Sequence, residues 1–346
     1  MRQNKTVFWK WAAMGLCLCA AFGVEAQAEE EPESLISTVM GTDVSIRVYG
    51  AKGTAEPLLD MLSEIEDEWL SWRVEDSDIA RLNASAGKEE GNTPGEKTWD
   101  YLALALELSE KSGGAFDVTI GEISKLWGLG TAQARVPKQE EIHALLPNVG
   151  YEKITMKDGS VWMEEGTSVD LGAIGKGIGC QEAEEMLLQT EADGAVVAIG
   201  GSILLYGRKP DGSDWKIGIA NPRAETGDSY LGTLTLGEGT AISTSGDYEK
   251  YLIQDGVRYH HILDPKTGYP AQSGLISVTV VCKEGWLSDG LSTACFVLGY
   301  EKSLELLEQY EAEAVFVDEG YHVCVTEGLE DAFDLTGTAY EMAEEL

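Results

Sequence analysis

The hydrophobic pattern of the N-terminal third first has a period of two and then a helical period. Over Thr42–Tyr49 every second residue is apolar, which predicts a half-buried β-strand. Between residues 58 and 72, and again over 97–111, apolar side chains recur at steps of three and four, which predicts two amphipathic helices. The inward-facing residues are Leu58, Leu62, Ile65, Trp69 and Trp72 in the first helix, and Trp99, Leu102 and Leu106 in the second.

Beyond residue 150, short apolar runs alternate with turn residues. Many of these turns are too short to hold a crossover helix, so the strands should form a largely antiparallel sheet. Helices are predicted near 176–190, 288–298 and 301–310, and the expected fold class is therefore α+β. The predicted strands are Val161–Met163, Val196–Ile199, Ile203–Tyr206, Trp215–Ala220, Leu231–Leu236, Tyr259–Leu263 and Leu275–Val281.

Composition narrows the class of protein. The 346 residues are 43% hydrophobic and 25% charged, which is typical of a globular protein and excludes disordered, collagenous and polytopic membrane proteins. The formal net charge of −35 repels polyanions, and because the sequence shows no local basic groove, nucleic-acid binding is not expected. The acidic ends, 29–33 and 341–346, resemble solvated tails.

The N-terminus has the three parts of a secretory signal peptide. Residues 1–10 carry Arg2, Lys5 and Lys10, residues 11–24 are apolar but too short to span a membrane, and Ala26-Gln27-Ala28 is a small-x-small cleavage pattern. The sequence therefore predicts a signal peptide at 1–28, a mature chain at 29–346 and an extracytoplasmic location.

Two alternatives to simple cleavage remain open. Lipid attachment at Cys17 or Cys19 is not favoured, because each follows a bulky leucine, and an uncleaved anchor is favoured still less. The mature chain keeps four cysteines without a C-x-x-C pair, so a zinc site is not expected. Free thiols are favoured over two disulfides, because all four cysteines lie in apolar or glycine-rich surroundings; they are Cys180, Cys282, Cys295 and Cys324.

The segment from Val169 to Gly177 has the residue types of a phosphate-binding turn. Three glycines allow backbone N–H groups to approach an anion, and Lys176 lies where a helix is predicted to begin. The spacing matches neither a P-loop nor G-x-G-x-x-G. A tight turn without a ligand is an equally good interpretation of this segment.

Asp289 and Thr293 are four residues apart, so they share one face of the predicted helix. A carboxylate and a hydroxyl so placed suit Mg²⁺, which takes oxygen ligands and borrows others from phosphate and water. The alternative interpretation is that Ser288 caps the helix and Asp289 favours its dipole.

Two further segments carry candidate chemistry. His260 and His261 precede the turn Asp264-Pro265-Lys266-Thr267-Gly268, and since neighbouring strand residues face opposite sides, only one histidine can enter a site as a general base. The alternative is a structural histidine. Gly113-Gly114-Ala115-Phe116-Asp117 is either a helix C-cap with a buried Phe116 or a loop that grips a flat ligand.

In this order and spacing, the motifs resemble the ApbE family, the FAD:protein FMN transferases, over about residues 35–325. Seven motifs carry the resemblance: Met40-Gly41-Thr42, Gly114-Ala115-Phe116-Asp117, the segment 169–177, Gly200-Gly201, the segment 243–248, the segment 261–268 and Ser288-Asp289-Gly290-Leu291-Ser292-Thr293. The resemblance implies a T-fold-like α+β enzyme that cleaves FAD, attaches FMN through a phosphoester to a Ser or Thr hydroxyl of an acceptor flavoprotein, and releases AMP.

The resemblance also implies roles for individual residues. His261 would be the base, and Mg²⁺ would be held by Asp289, Thr293 and the backbone carbonyl of Ala173. FAD, the substrate, would be held by Met40, Trp72, Ala115, Phe116, Asp117, Asp170, Lys176 and Leu263; Trp72 is placed by the wider motif from Ser71-Trp72 to Asn83.

Two other functions remain open at this point. In an FAD pyrophosphatase, water would replace the acceptor hydroxyl and release free FMN. A non-enzymatic exported FAD-binding protein would not need Asp289, Thr293 and His261. The acceptor is expected to be a membrane-bound or exported flavoprotein, and the sequence identifies neither the acceptor nor the oligomeric state.

Overall fold

The computed structural model describes residues 31–224 and 228–346. The predicted signal peptide at 1–28 lies outside the described residues. The helices are α1 (Ala55–Glu64), α2 (Asp78–Ala84), α3 (Glu96–Lys111), α4 (Gly121–Trp127), α5 (Gln139–Leu145), α6 (Gly175–Leu187), α7 (Gly285–Leu298) and α8 (Tyr300–Gln309). The strands are β1 (Glu33–Val39), β2 (Thr42–Tyr49), β3 (Ile154–Lys157), β4 (Ser160–Met163), β5 (Gly194–Ile199), β6 (Ser202–Gly207), β7 (Trp215–Ala220), β8 (Tyr230–Leu236), β9 (Thr240–Gly246), β10 (Tyr251–Gln254), β11 (Val257–His260), β12 (Leu275–Cys282), β13 (Glu313–Asp318), β14 (His322–Val325), β15 (Phe333–Leu335) and β16 (Glu341–Met342).

A large sheet organises the described part of the chain. Its strand order is β1-β2-β5-β6-β9-β12-β13-β14-β16, and all neighbours are antiparallel except β14 and β16. A three-stranded sheet (β15-β8-β7) and two hairpins (β3-β4 and β10-β11) complete the strands. The predicted α+β class with largely antiparallel sheets is confirmed.

Both faces of the large sheet are covered at its central strands, and this explains why those strands lack the clean polar alternation of β2. Helices α1, α6 and α7 pack on one face, where Val197 contributes to the core, while Val196 faces a second core formed with the three-stranded sheet. All eight residues of β12 are buried, as expected for a strand covered on both sides.

Helices α6 and α7 cross with their backbones in contact near their N-termini. A Cβ atom on Gly177 would lie 2.3 Å from the carbonyl oxygen of Gly285, and one on Gly285 would lie 2.4 Å from the carbonyl oxygen of Gly177. Only glycine fits at such a contact. The packing brings the candidate residues of the 169–177 segment next to those of α7.

Several predicted boundaries are wrong. Helix α7 begins at Gly285 and not at 288, and β11 ends at His260, so His261 lies just beyond the strand. The first predicted helix consists of α1 and a π-helical turn over Ile65–Leu70, and it ends before Trp72.

The predicted acidic tails are each partly ordered as strand. At the first, 29 and 30 lie outside the described residues, and Glu33 begins β1, which pairs with β2 through the turn at Met40–Gly41. At the second, Glu341–Met342 pairs with β14, while the side chains of both residues stay exposed. Within the described residues, no helix is long and apolar enough to cross a membrane. The four described cysteines are buried and unpaired, which confirms the prediction of free thiols.

Candidate active site

An ion pair between α6 and α7 forms the centre of the candidate site. The Lys176 ammonium lies 3.0 and 3.2 Å from the two carboxylate oxygens of Asp289, and the Gly177 N–H donates to Asp289 Oδ2 at 2.9 Å. Asp289 is only 2% exposed. Burial lowers the pKa of Lys176, but Asp289 and Glu249 outweigh it and hold that pKa above its ordinary value.

Hydroxyl groups surround this ion pair on the side of β9. Ser245 Oγ lies 2.8 Å from Ser292 Oγ and 3.2 Å from Thr293 Oγ1, and Ser243 Oγ lies 2.8 Å from Ser288 Oγ. Since α7 begins at Gly285, Ser288 is inside the helix, and its interpretation as the N-cap is wrong. Asp289 and Thr293 lie one turn apart, as predicted.

The oxygen donors here fit Mg²⁺. One buried carboxylate (Asp289), one hydroxyl (Thr293) and one carbonyl (Ala173) are hard ligands, and Mg²⁺ completes its shell with water and phosphate oxygens. Because the Gly177 N–H donates to Asp289, it does not donate to the Ala173 carbonyl four residues earlier, and no other described backbone N–H does. No group of three His, Cys, Asp or Glu residues suited to a metal occurs in residues 31–224 and 228–346.

His261 lies where the β10–β11 hairpin rejoins the body of the protein. The backbone N–H of His261 donates to the carbonyl oxygen of Lys250 at 3.0 Å. The ring nitrogen Nδ1 is buried without a hydrogen-bond partner among the described residues. Burial, together with Lys250, His260 and Lys176, lowers the pKa of His261 to about 3. The imidazole is therefore neutral at physiological pH, and in the ligand-free protein the same surroundings disfavour its protonation.

His260 has different surroundings. Its Nε2 lies 3.0 Å from the carbonyl oxygen of Ala271, and its ring contacts Phe296 edge to face. This is the geometry of a structural histidine. The turn that follows is fixed by the Asp264 carboxylate, which accepts from the N–H of Lys266, and by Trp127 Nε1, which donates to the carbonyl of Gly268.

Met40 and Trp72 have different neighbours. Met40 occupies the left-handed turn between β1 and β2, donates its N–H to Glu66, and directs its sulfur toward Gly179 of α6. Two cations lie over the Trp72 ring, Arg73 at 4.1 Å and Lys125 at 4.7 Å. Trp72 Nε1 is buried and has no partner within the described residues.

The segment Ala115–Asp117 comes just after the C-terminal cap of α3 at Ser112, beyond Gly113 and Gly114 at positive φ, and Phe116 is buried in the core. The Asp117 carboxylate accepts from Thr119 and from the N–H of Tyr151, so it organises its own loop. Burial raises the pKa of Asp117 despite these hydrogen bonds.

The remaining two predicted FAD residues are not adjacent to each other. Asp170 accepts the N–H of Gly172 at 2.9 Å and so shapes the turn before α6. Leu263 is buried in a separate apolar cluster with Ile123, Trp127 and Ile142.

Sequence reasoning missed four charged residues near the site. Glu249 and Lys250 directly follow the 243–248 motif; burial raises the pKa of Glu249, and burial together with Lys176 lowers the pKa of Lys250. Arg73 and Lys125 accompany Trp72. Extending the 243–248 motif by two residues would have found Glu249 and Lys250. Arg73 directly follows Trp72 inside the wider motif, whereas Lys125 reaches the site only through the fold.

Fold and site together define an α+β protein with a buried carboxylate–lysine pair, a hydroxyl cluster and a neutral histidine. The ApbE family model matches residues 40–316, and the chain belongs to the ApbE family. It is 31% identical to the FAD:protein FMN transferase of Treponema pallidum, over 95% of this chain and 96% of that protein. It is 34% identical to the FAD:protein FMN transferase of Haemophilus influenzae, over 86% of this chain and 88% of that protein.

Solved structures agree with this family. The ApbE protein of Thermotoga maritima superposes with a TM-score of 0.80 at 34% identity, covering 87% of this chain and 99% of that chain. The apo form of the flavinyl transferase ApbE of Pseudomonas stutzeri superposes with a TM-score of 0.77 at 29% identity, covering 90% of this chain and all of that chain.

Proposed function

We propose that this chain, a flavin transferase like the relatives that it matches over most of its length, moves FMN from FAD to a Ser or Thr hydroxyl of an acceptor protein with the help of Mg²⁺. The observation that carries the proposal is the Asp289–Lys176 pair near His261, whose ring makes no hydrogen bond within the described residues, whereas the His260 ring contacts the carbonyl of Ala271. These groups suit a substrate that carries a nucleotide-like dianion and a reaction whose nucleophile is a hydroxyl group.

The bond changes are a substitution at one phosphorus. A bond forms between the acceptor oxygen and the phosphorus of the FMN half, the P–O–P anhydride bond of FAD breaks, and AMP leaves. His261 accepts the proton of the acceptor hydroxyl as the oxygen attacks. Its lowered pKa keeps the ring neutral beforehand, and the arriving negative charge of the pyrophosphate favours its protonation.

Lys176 neutralises phosphate charge in both the bound substrate and the transition state. The chain is strongly acidic overall, so this local positive charge is what allows a pyrophosphate to approach. Ala173, Asp289 and Thr293 would hold Mg²⁺, which when bound withdraws charge from the pyrophosphate and orients it. Met40, Trp72, the 115–117 segment, Asp170 and Leu263 would hold the rest of FAD.

We also propose that the chain works outside the cytoplasm on a membrane-bound or exported flavoprotein. This rests on the signal-peptide pattern at 1–28 and on the resemblance. N-terminal sequencing of the protein from its native cells should find a start at or near Glu29; an intact Met1 or a lipid-modified Cys19 would overturn simple cleavage.

Incubation with FAD and Mg²⁺, with and without a candidate acceptor, separates the alternatives. A transferase forms a covalent flavin–protein adduct, a pyrophosphatase releases free FMN and AMP in either case, and a flavin carrier leaves FAD intact. We expect the adduct with Mg²⁺ and none with a chelator. Equal release of FMN with and without acceptor, together with no adduct, would contradict the proposed transferase function.

A further inference from the structure

Strand β9 and helix α7 lie side by side, with serines along their shared face. Ser243 and Ser245 are two residues apart in β9, and Ser288 and Ser292 are four residues apart in α7. Two residues of a strand and four residues of a helix both span about 6–7 Å. The two pairs therefore meet in register: Ser243 Oγ lies 2.8 Å from Ser288 Oγ, and Ser245 Oγ lies 2.8 Å from Ser292 Oγ.

The number of available protons assigns a direction to the hydrogen bond between Ser245 and Ser292. A serine or threonine hydroxyl has one proton to donate, whereas a backbone carbonyl can only accept. Ser292 Oγ donates to the carbonyl oxygen of Asp289 at 2.8 Å, which uses its proton. In the contact with Ser245, Ser292 is therefore the acceptor and Ser245 is the donor.

The same count extends to Thr293. Ser245 Oγ also lies 3.2 Å from Thr293 Oγ1, and the proton of Ser245 is already given to Ser292. Thr293 therefore donates to Ser245. The resulting relay runs from the Thr293 hydroxyl through Ser245 and Ser292 to the backbone of Asp289. Within the described part of the chain no group donates to Thr293 Oγ1, so the lone pairs of this oxygen are unused.

This direction suits a hydroxyl that binds a cation. A hydroxyl oxygen binds Mg²⁺ through a lone pair, so its proton has to be accepted elsewhere. Groups that hydrogen-bond to a metal ligand from behind fix its orientation and contribute to metal affinity. Thr293 is half-buried, whereas Ser245 is 8% exposed and Ser292 is fully buried, so the relay holds Thr293 from the interior of the protein.

We infer that Ser245 is a positioning residue for the metal ligand Thr293: by accepting the Thr293 proton, Ser245 keeps the lone pairs of the Thr293 oxygen free for the cation. This inference rests on the proposed function, in which Thr293 and Asp289 hold Mg²⁺. Ser243 lies on the same face of β9 but bonds to Ser202, at 3.0 Å, and to Ser288, so it stands outside this relay.

The test is the Mg²⁺ requirement of Ser245→Ala. One readout is the Mg²⁺ concentration that gives half-maximal transfer of FMN to a purified flavoprotein that the wild-type chain modifies. The other needs no turnover: it is the dependence of the Kd for FAD on Mg²⁺ concentration without acceptor. We expect both to show Mg²⁺ binding weakened by about three- to tenfold, with transfer at saturating Mg²⁺ within about twofold of wild type.

A double-mutant cycle tests whether Ser245 acts through Thr293. In a Thr293→Ala background, Ser245→Ala should weaken Mg²⁺ binding by less than about twofold more. In a Thr293→Ser background, which keeps the hydroxyl, the full effect should return. Ser243→Ala is the matched control, because it removes a fully buried hydroxyl from the same face of β9; it should keep the wild-type Mg²⁺ requirement.

Chemical denaturation of each variant separates a folding defect from a metal effect. Ser245→Cys has nearly the same volume and a weaker acceptor, so it is a second variant that should weaken Mg²⁺ binding in the same direction. An unchanged Mg²⁺ requirement in the folded Ser245 variants, an equal loss in Ser243→Ala, or a full loss without the Thr293 hydroxyl would each overturn the assignment. A wild-type chain whose FAD binding and transfer ignore Mg²⁺ would instead overturn the metal part of the proposed function, and the assignment with it.

Discussion

Two buried carboxylates in this protein hold cations in different ways. Asp247 accepts a two-pronged pair from Arg223, at 2.7 and 2.8 Å, and a third contact from Arg258 at 3.4 Å. Asp289 instead meets a single ammonium, that of Lys176, and one backbone N–H. A planar guanidinium fork fixes both oxygens of a carboxylate, whereas an ammonium is a point charge on a flexible stem.

This difference distinguishes a structural ion pair, at Asp247, from a functional one, at Asp289. The Asp247 pair joins the hairpin base to Arg223 and has the geometry of a structural clamp. Asp289 has a hydroxyl one helical turn away, at Thr293, and the open carbonyl of Ala173 belongs to the loop before α6. We expect the Lys176 contact to yield when a cation and a phosphate arrive, and the Asp247 contacts to persist.

The largest effect should come from Asp289→Ala. Loss of the charged metal ligand should reduce FMN transfer by roughly 10³-fold or more and make the remainder insensitive to chelation. The measurement is adduct formation with and without Mg²⁺. Asp247→Asn, the matched buried carboxylate, should keep its Mg²⁺ dependence. Full activity of Asp289→Ala in chelator would contradict the assignment of Asp289 as a metal ligand.

His261→Ala should follow, with transfer reduced by roughly 10²–10⁴ and FAD affinity within a few fold of wild type, because a base acts on the acceptor hydroxyl and not on FAD. His260→Ala should lower stability modestly and leave transfer largely intact, since its Nε2 contacts the Ala271 carbonyl. For both variants, acceptor flavinylation measures transfer and an FAD titration measures affinity. An inactive His260→Ala with a normal His261→Ala would reverse the assignment.

Thr293→Ala should cost about tenfold in transfer, and raising the Mg²⁺ concentration should restore most of it. A neutral hydroxyl contributes less than a carboxylate, and water can take its place. Activity measured across a Mg²⁺ titration gives the apparent metal affinity. A loss as large as that of Asp289→Ala, with no rescue, would mean that Thr293 serves some purpose other than metal binding.

Asp247→Asn should act on folding rather than on chemistry. This substitution removes the negative charge that Arg223 and Arg258 contact in a buried ion pair, which should lower the free energy of unfolding by about 3 kcal/mol. FAD affinity and kcat at saturating acceptor should change less than about threefold. Chemical denaturation and steady-state kinetics on the same preparation test this, and loss of FAD binding in the folded variant would erase the distinction between the two carboxylates.

The smallest expected effect is on the pH profile. Because the pKa of His261 in the ligand-free protein is lowered to about 3, the ring stays neutral through the physiological range. The value of kcat/KM for FAD reports free-enzyme pKa values, so it should show no acid limb from His261 between about pH 5 and 8. An acid limb near pH 6.5 that disappears in His261→Ala would show that the imidazole is solvated instead.

Much of the fold was predictable because its strands carry long apolar runs. The β12 segment is buried on both faces and was visible as a strand, and α6 and α8 were placed closely. The strand β1 was missed, because Glu33–Val39 gains its structure from pairing with β2 and not from its own pattern. The start of α7 was missed because Gly285 and Trp286 carry no capping signal.

The candidate site was predictable in part. The four-residue spacing put Asp289 and Thr293 on one helix face, but no spacing could predict that Lys176, 113 residues away, bonds to Asp289. The family resemblance implies that Lys176 holds FAD and that Asp289 holds Mg²⁺, but it does not give the contact between them. Gly177 was interpreted as a phosphate-approach residue or a tight turn, whereas the structure gives it a packing contact with Gly285, a long-range property that a single sequence does not carry.

The most direct test of the account is mass spectrometry of a candidate exported flavoprotein after incubation with the mature chain, FAD and Mg²⁺. We expect a mass increase equal to FMN in phosphoester linkage, located on a Ser or Thr, with release of one AMP per adduct and no adduct in chelator or with Asp289→Ala. AMP and free FMN without any modified acceptor would contradict it.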